Sequence, residues 1–171
     1  MIKKYIEFIN EGVYTYGCIL LETPISNWNE LTSMIDPEDL YKPETERFGI
    51  TENPHCTVLY GLRNKVTESN IEYFLKYLEM PTIEVNGIDC FEQDEFDVVK
   101  LNVIPNSNLL KMRRTFERLP NVNKFPYSPH ITIAFVKKGC GEKYKSDFKL
   151  TINPSRIEYS KSDGSKYYYE L

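Results

Sequence analysis

Histidine is scarce in this chain: of 171 residues only His55 and His130 carry an imidazole. Several other features are missing, and each absence removes a class of function. The four cysteines, Cys18, Cys56, Cys90 and Cys140, form no Cys-x-x-Cys pair, which argues against a zinc knuckle or a thioredoxin-like motif. Positive charge is not in excess: 21 Lys and Arg face 25 Asp and Glu, for a net charge of −4. A general nucleic-acid coat needs surplus cations to displace counterions, so that class is disfavoured, while a local basic groove for a small phosphorylated ligand is not. The eight glycines are scattered and make neither a phosphate loop nor a dinucleotide fingerprint. No apolar run is long enough to span a bilayer, and the opening Met1-Ile2-Lys3-Lys4-Tyr5 leads to Glu7 and Glu11 without a signal core. The expectation is a cytoplasmic protein with reduced thiols, in a host cytoplasm if the chain is viral, with no membrane association. Hydrophobic residues at 41% and aromatics at 13% describe a folded protein able to bury a core within one domain.

Taken in order, Ile2, Tyr5, Ile6 and Ile9 share one helical face, and Gly12 can end that helix. Residues 13–22 read as a strand, and Ser26 as the cap of a helix bearing Trp28, Leu31, Met34 and Ile35. A surface loop over 41–53 follows, then a strand from His55. A helix is predicted from about Thr67 to Glu79, ended by Pro81, and two strands over 82–91 and 96–104 flank the acidic turn Glu92 to Glu95. Asn106 or Ser107 caps a helix with Leu109, Met112 and Phe116 on one side and Lys111, Arg113, Arg114 and Arg118 elsewhere. The tail reads as strands near 148–152, 156–161 and 166–171, with a hairpin turn at Ser162-Asp163-Gly164.

One sentence of sequence occurs twice here: strand, proline, Ser or Asn cap, helix, loop, then Pro-His-x-Thr opening a new strand. Pro54-His55-Cys56-Thr57-Val58-Leu59-Tyr60 matches Pro129-His130-Ile131-Thr132-Ile133-Ala134-Phe135. Pro24 to His55 spans 31 positions and Pro105 to His130 spans 25, a difference of loop length. The duplication predicts two lobes about a pseudo-two-fold axis, with the motif strands side by side across a groove. Strict alternation places His55, Thr57 and Leu59 on one face and Cys56, Val58 and Tyr60 on the other; likewise His130, Thr132 and Ala134 oppose Ile131, Ile133 and Phe135.

Paired imidazoles suit phosphodiester chemistry. One deprotonates the attacking oxygen and the other protonates the leaving oxygen, and imidazole titrates near neutrality, so either ring can take either role. Each threonine hydroxyl can donate to a non-bridging oxygen as charge builds. No metal or other cofactor is then required. A metal site is the rival, but two histidines are too few without carboxylates. Cys56 as a nucleophile is weaker, since its side chain points away from His55. Capture of a nucleotide without cleavage, or a purely structural role for both motifs, are the remaining readings.

These residues resemble the 2H phosphoesterase superfamily, named for two His-x-Thr or His-x-Ser motifs on strands; here they are His55-Cys56-Thr57 and His130-Ile131-Thr132, 75 positions apart. The run from Ile157 through Gly164 to Tyr168 is similar to the usual terminal hairpin. The resemblance covers nearly the whole chain. It implies an α+β, bilobed fold with two pseudo-symmetric antiparallel sheets and flanking helices around a central groove, as one domain over 1–171 with motif strands near 55–60 and 130–136. It also implies a phosphoric diester hydrolase without cofactor; the expected state of the chain is a monomer. Members include 2′-5′ RNA ligase-like proteins, RNA cyclic phosphodiesterases, 2′,5′-oligoadenylate phosphodiesterases and phage enzymes that destroy cyclic-oligonucleotide alarm signals (anti-CBASS nucleases). A short acidic chain fits a nucleotide or small cyclic oligonucleotide better than tRNA, with RNA ends as the alternative partner. Tyr14, Tyr16, Phe125 and Tyr127 are candidates for stacking on bases, against the plainer reading that they pack strands and loops. Arg63, Lys137 and Lys138 are candidates for phosphate contacts, against simple solvation.

Overall fold

The computed structural model describes residues 15–42 and 48–171. The expected helix over 2–9, the start of the first strand with Tyr14, and Pro43 lie outside the described residues. Among the described residues eight strands pair antiparallel: β1 (Gly17–Glu22), β2 (His55–Leu62), β3 (Ile83–Glu92), β4 (Phe96–Ile104), β5 (His130–Lys137), β6 (Leu150–Ile152), β7 (Arg156–Ser160) and β8 (Lys166–Tyr169). Their order is β6-β3-β4-β5-β2-β1-β7-β8. Two four-stranded halves are thus joined through β2 and β5, at the single pair Cys56 opposite Ile131. The order is symmetric about that junction, β5 corresponding to β2 and β4 to β1, as the duplicated sequence requires.

Among the described residues three α-helices carry apolar stripes onto one side of the sheet: α1 (Trp28–Ser33), α2 (Glu68–Leu75) and α3 (Ser107–Phe116). Thr67 and Asn70 form a reciprocal capping box at α2, and the Asn106 side chain accepts from Leu109 N–H at α3, satisfying donors that a first turn leaves orphaned. Two expectations are corrected. The residue at the N-cap of α1 is Asn27, not Ser26, and makes no side-chain capping bond; α2 ends at Leu75, where Lys76 is the C-cap, before Pro81 can act. Trp28, Leu31, Ile71, Leu75, Leu109, Met112 and Phe116 meet Ile19, Leu21, Leu101 and Ile157 in one core. Each such burial contributes about 1.5–3 kcal/mol. The helices cross over: α1 from the first half packs on β5 of the second, and α3 from the second packs on β2 of the first.

Alternation is broken at the same place in both motif strands. Leu20 faces Thr57 but Ile19 faces Leu59, so β2 carries an extra residue; Lys100 faces Thr132 but Val99 faces Ala134, so β5 does too. A bulge of this kind flips every later side chain to the opposite face. Leu59 and Ala134 therefore join Cys56, Val58, Ile131 and Ile133 in the core. Tyr60 and Phe135 turn to the histidine face, where Phe135 packs with Phe96, Val98, Tyr41 and Phe48. The strictly alternating assignment of Leu59, Tyr60, Ala134 and Phe135 is overturned by this matched pair of bulges.

Candidate active site

The proline of each motif sets the entry to its strand. The carbonyl of Pro54 accepts from Thr23 N–H (3.1 Å) and that of Pro129 from Val103 N–H (3.2 Å). Each imidazole then folds back over its proline. His55 Nδ1 lies 2.9 Å from the Asn53 carbonyl oxygen, and His130 Nδ1 lies 2.8 Å from that of Ser128. A carbonyl oxygen can only accept, so Nδ1 carries the hydrogen in both rings and Nε2 is left to exchange a proton.

Cys56 opposite Ile131 fixes the rows on the other face. In antiparallel register His55 falls in the row of Thr132, and Thr57 in the row of His130. The two imidazoles are close enough for the charge of His55 to be felt at His130. Burial pushes His130 down to about 4; the Ser128 carbonyl opposes this, and the positive charges of Lys100 and His55 add to it. All four motif residues, His55, Thr57, His130 and Thr132, are half-buried and not sealed in the core. Burial drives the Cys56 thiol up to about 12, which leaves it protonated and non-nucleophilic at neutral pH.

Two charged groups that the sequence reading passed over flank the motifs. Lys100, 4% exposed on β4, stands opposite Thr132, with Asn102 next along the row opposite His130. Its ammonium donates to Asn102 Oδ1, lies 3.8 Å from Asp89 Oδ2, and sits 4.3 Å from the centre of the Phe91 ring. Phe91 in turn presents a perpendicular ring to His130 at 4.9 Å. In the other half Glu158, 6% exposed, accepts from Ser160 Oγ and pairs with Lys166 Nζ at 2.9 Å. Burial pushes the Glu158 carboxyl up, but Ser160, Lys166 and the charge of His55 outweigh it and hold it below the usual range. The signal for Lys100 was present: in Val99-Lys100-Leu101-Asn102 the polar residues alternate, so both sit on the non-core face.

The remaining sequence candidates are dispersed. Tyr16 meets Tyr60 edge-on at 6.2 Å, and Tyr16 and Arg63 line a cavity of about 320 Å³ with Thr15, Asn64 and Lys65. Phe125 is half-buried in the loop that Asn123 organises, accepting from Phe125 N–H and donating to the Tyr60 carbonyl. Tyr127 packs on the core side, its ring 4.9 Å from the Arg113 guanidinium and its hydroxyl 3.4 Å from the Thr57 carbonyl oxygen. Lys137 donates to the Glu38 carbonyl at 2.6 Å, and Lys138 pairs with Glu92 and buried Asp97 at 3.3 and 3.5 Å. Both lie past the bulge, at and beyond the far end of β5 from His130. Tyr14 is outside the described residues. Among the described residues no three His, Cys, Asp or Glu side chains converge as a metal site, and no helix is long and apolar enough to cross a membrane.

No family profile and no curated protein matches the sequence. Solved structures do match in shape. Usb1 of Kluyveromyces marxianus superposes with a TM-score of 0.57 at 10% identity, over 92% of this chain and 98% of that one. LigT of E. coli, complexed with 3′-AMP, gives 0.57 at 13% identity over 92% and 95%. TT0787 of Thermus thermophilus gives 0.56 at 17% identity over 91% and 95%.

The chain has the 2H phosphoesterase fold. Against the pseudo-symmetry of this 2H phosphoesterase fold, the flanking charges are asymmetric. Lys100 faces Thr132, whereas the corresponding residue facing Thr57 is Leu20; the next strand out supplies Asp89 on one side and Glu158 on the other.

Proposed function

We propose that this protein is a metal-independent phosphodiesterase that hydrolyses a cyclic nucleotide or a small cyclic or 2′-5′-linked oligonucleotide by two-histidine acid–base catalysis. The observation that carries this reading is the matched tether of His55 and His130 on adjacent strands: each Nδ1 is committed to a carbonyl two residues back, which makes Nε2 the proton-transferring nitrogen of each ring. A site built only to capture a nucleotide needs hydroxyls and cations but has no use for two imidazoles locked in the same tautomer. Thr57 and Thr132 supply hydroxyls for the non-bridging oxygens. LigT with 3′-AMP and Usb1 with uridine monophosphate are solved structures of the same fold, and their nucleotide ligands support a substrate of that class.

The test is a panel of cyclic mono-, di- and trinucleotides, RNA 2′,3′-cyclic ends and 2′-5′ oligomers, incubated with chelator and resolved by chromatography and mass. Turnover confined to cyclic di- or trinucleotides places the protein with phage enzymes that degrade cyclic-oligonucleotide immune signals; turnover of 2′,3′-cyclic ends places it in RNA processing. His55→Ala and His130→Ala are each expected to lose at least about a hundredfold in kcat. Full turnover by both variants with chelator present overturns the mechanism.

A further inference from the structure

We propose that the unequal charges beside the two motifs give the site a direction, with His130 as the general base, His55 as the general acid, and Lys100 as the residue that positions and tunes His130. This rests on the phosphodiesterase reading above and decides what the duplicated motifs leave open.

The groups facing each ring differ. Around His130, β4 presents Lys100 and Asn102, β3 presents Asp89 and the Phe91 ring, β2 presents His55, and Lys145 approaches Asp89 at 3.3 Å. Lys100 is the cation among them with almost no exposure to water, so its charge is the least screened. Around His55, β1 presents Glu22, which Arg156 holds at 2.7 Å, and β7 presents Glu158, which Lys166 holds at 2.9 Å. A buried cation beside His130 favours its neutral form, ready to accept a proton. On the other side the charges nearest His55 are carboxylates, and the cations that hold them, Arg156 and Lys166, stand largely in solvent.

The reaction follows in balanced steps. His130 Nε2 takes the proton from the attacking hydroxyl or water, whose oxygen forms the new bond to phosphorus. The bond from phosphorus to the leaving oxygen breaks, and that oxygen takes the proton from His55 Nε2. With water the products are a phosphomonoester and an alcohol; with a neighbouring hydroxyl, a cyclic phosphate and an alcohol. Exchange with solvent returns His130 to neutral and His55 to the protonated form. The incoming phosphodiester anion offsets the charge of Lys100, so His130 becomes a stronger base when substrate is bound.

Two measurements test this. Because the chain has two histidines, their ring carbons can be followed individually by NMR across a pH titration in the wild type, Lys100→Met and Lys100→Arg. Lys100→Met is expected to raise the His130 midpoint by about a few tenths of a pH unit, burial still holding it low, and Lys100→Arg to leave it where it is. An unmoved midpoint in folded Lys100→Met overturns the role of Lys100. The second measurement needs no Lys100 variant. A nucleoside p-nitrophenyl phosphate has a leaving group that requires no acid, so His55→Ala is expected to regain about a hundredfold on it relative to an alkoxide-leaving substrate, while His130→Ala is not. Rescue of His130→Ala instead overturns the assignment. Absence of any cleavage by the wild type sinks the phosphodiesterase reading, and with it the direction assigned here, whereas the imidazole titration then still judges the tuning by Lys100.

Discussion

Cys56 stands opposite Ile131, and that one pair joins the two halves of the sheet. Both residues are fully buried and both are the middle residue of a His-x-Thr motif, so packing beneath the junction sets the spacing of the histidines above it. Ile131→Ala leaves a cavity directly under the motif row. It is expected to lower stability by about 2–4 kcal/mol, read from urea unfolding, and to depress kcat more than KM.

The motif threonines are expected to act only once charge develops on the phosphoryl oxygens. Thr57→Val and Thr132→Val keep the β-branched shape and remove a donor, so each should lose about ten- to a hundredfold in kcat, with thermal unfolding shifted little. A change confined to KM would assign the hydroxyls to ground-state binding instead.

Arg113 supports the first motif from behind. The residue is 5% exposed, and its guanidinium donates to the Val58 carbonyl at the bulge (2.8 Å) and pairs with Glu117 at 2.7 Å. Arg113→Met strands that buried carbonyl, at a cost of about 1–3 kcal/mol in denaturant unfolding. Activity is expected to fall as well, since the Val58 carbonyl lies one residue from Thr57.

Stability should carry the mark of His130. The folded ring binds its proton only below about 4, whereas an unfolded imidazole does so near 6.5. Between those values the unfolded chain holds more protons. The contribution is therefore fully present above about 6.5, is lost as pH falls through the window, and stops changing below about 4. Urea midpoints measured across that range should decline in the wild type and decline less in His130→Asn.

The Pro-His-x-Thr pair was legible because its parts are local: a proline, a strand and a tautomer-fixing carbonyl all lie within a few residues. The terminal hairpin and the β3–β4 pair were legible for the same reason, their turns being marked by Gly164 and by Glu92 to Glu95. The bulges were not. His55 to Leu62 alternates on paper, and the extra residue shows only when β1 is laid beside it, since register belongs to two strands. Lys100 was missed because a lysine between Val99 and Leu101 reads as an interruption of a core strand until β5 brings Thr132 next to it. Tyr127, a stacking candidate by composition, is drawn behind the sheet by Arg113, a contact between α3 and a loop that spacing cannot express.

The crossing of α1 onto β5 and α3 onto β2 makes the halves hostages to one another. Neither half holds its own lid, so a chain cut between α2 and β3, near Met80, parts α1 from β5 and α3 from β2 and should yield fragments that are sticky apart and reassociate when mixed. Within the intact molecule, loosening one half strips cover from the other's catalytic strand. The two histidines should therefore lose their ordered environments together, in a single cooperative step.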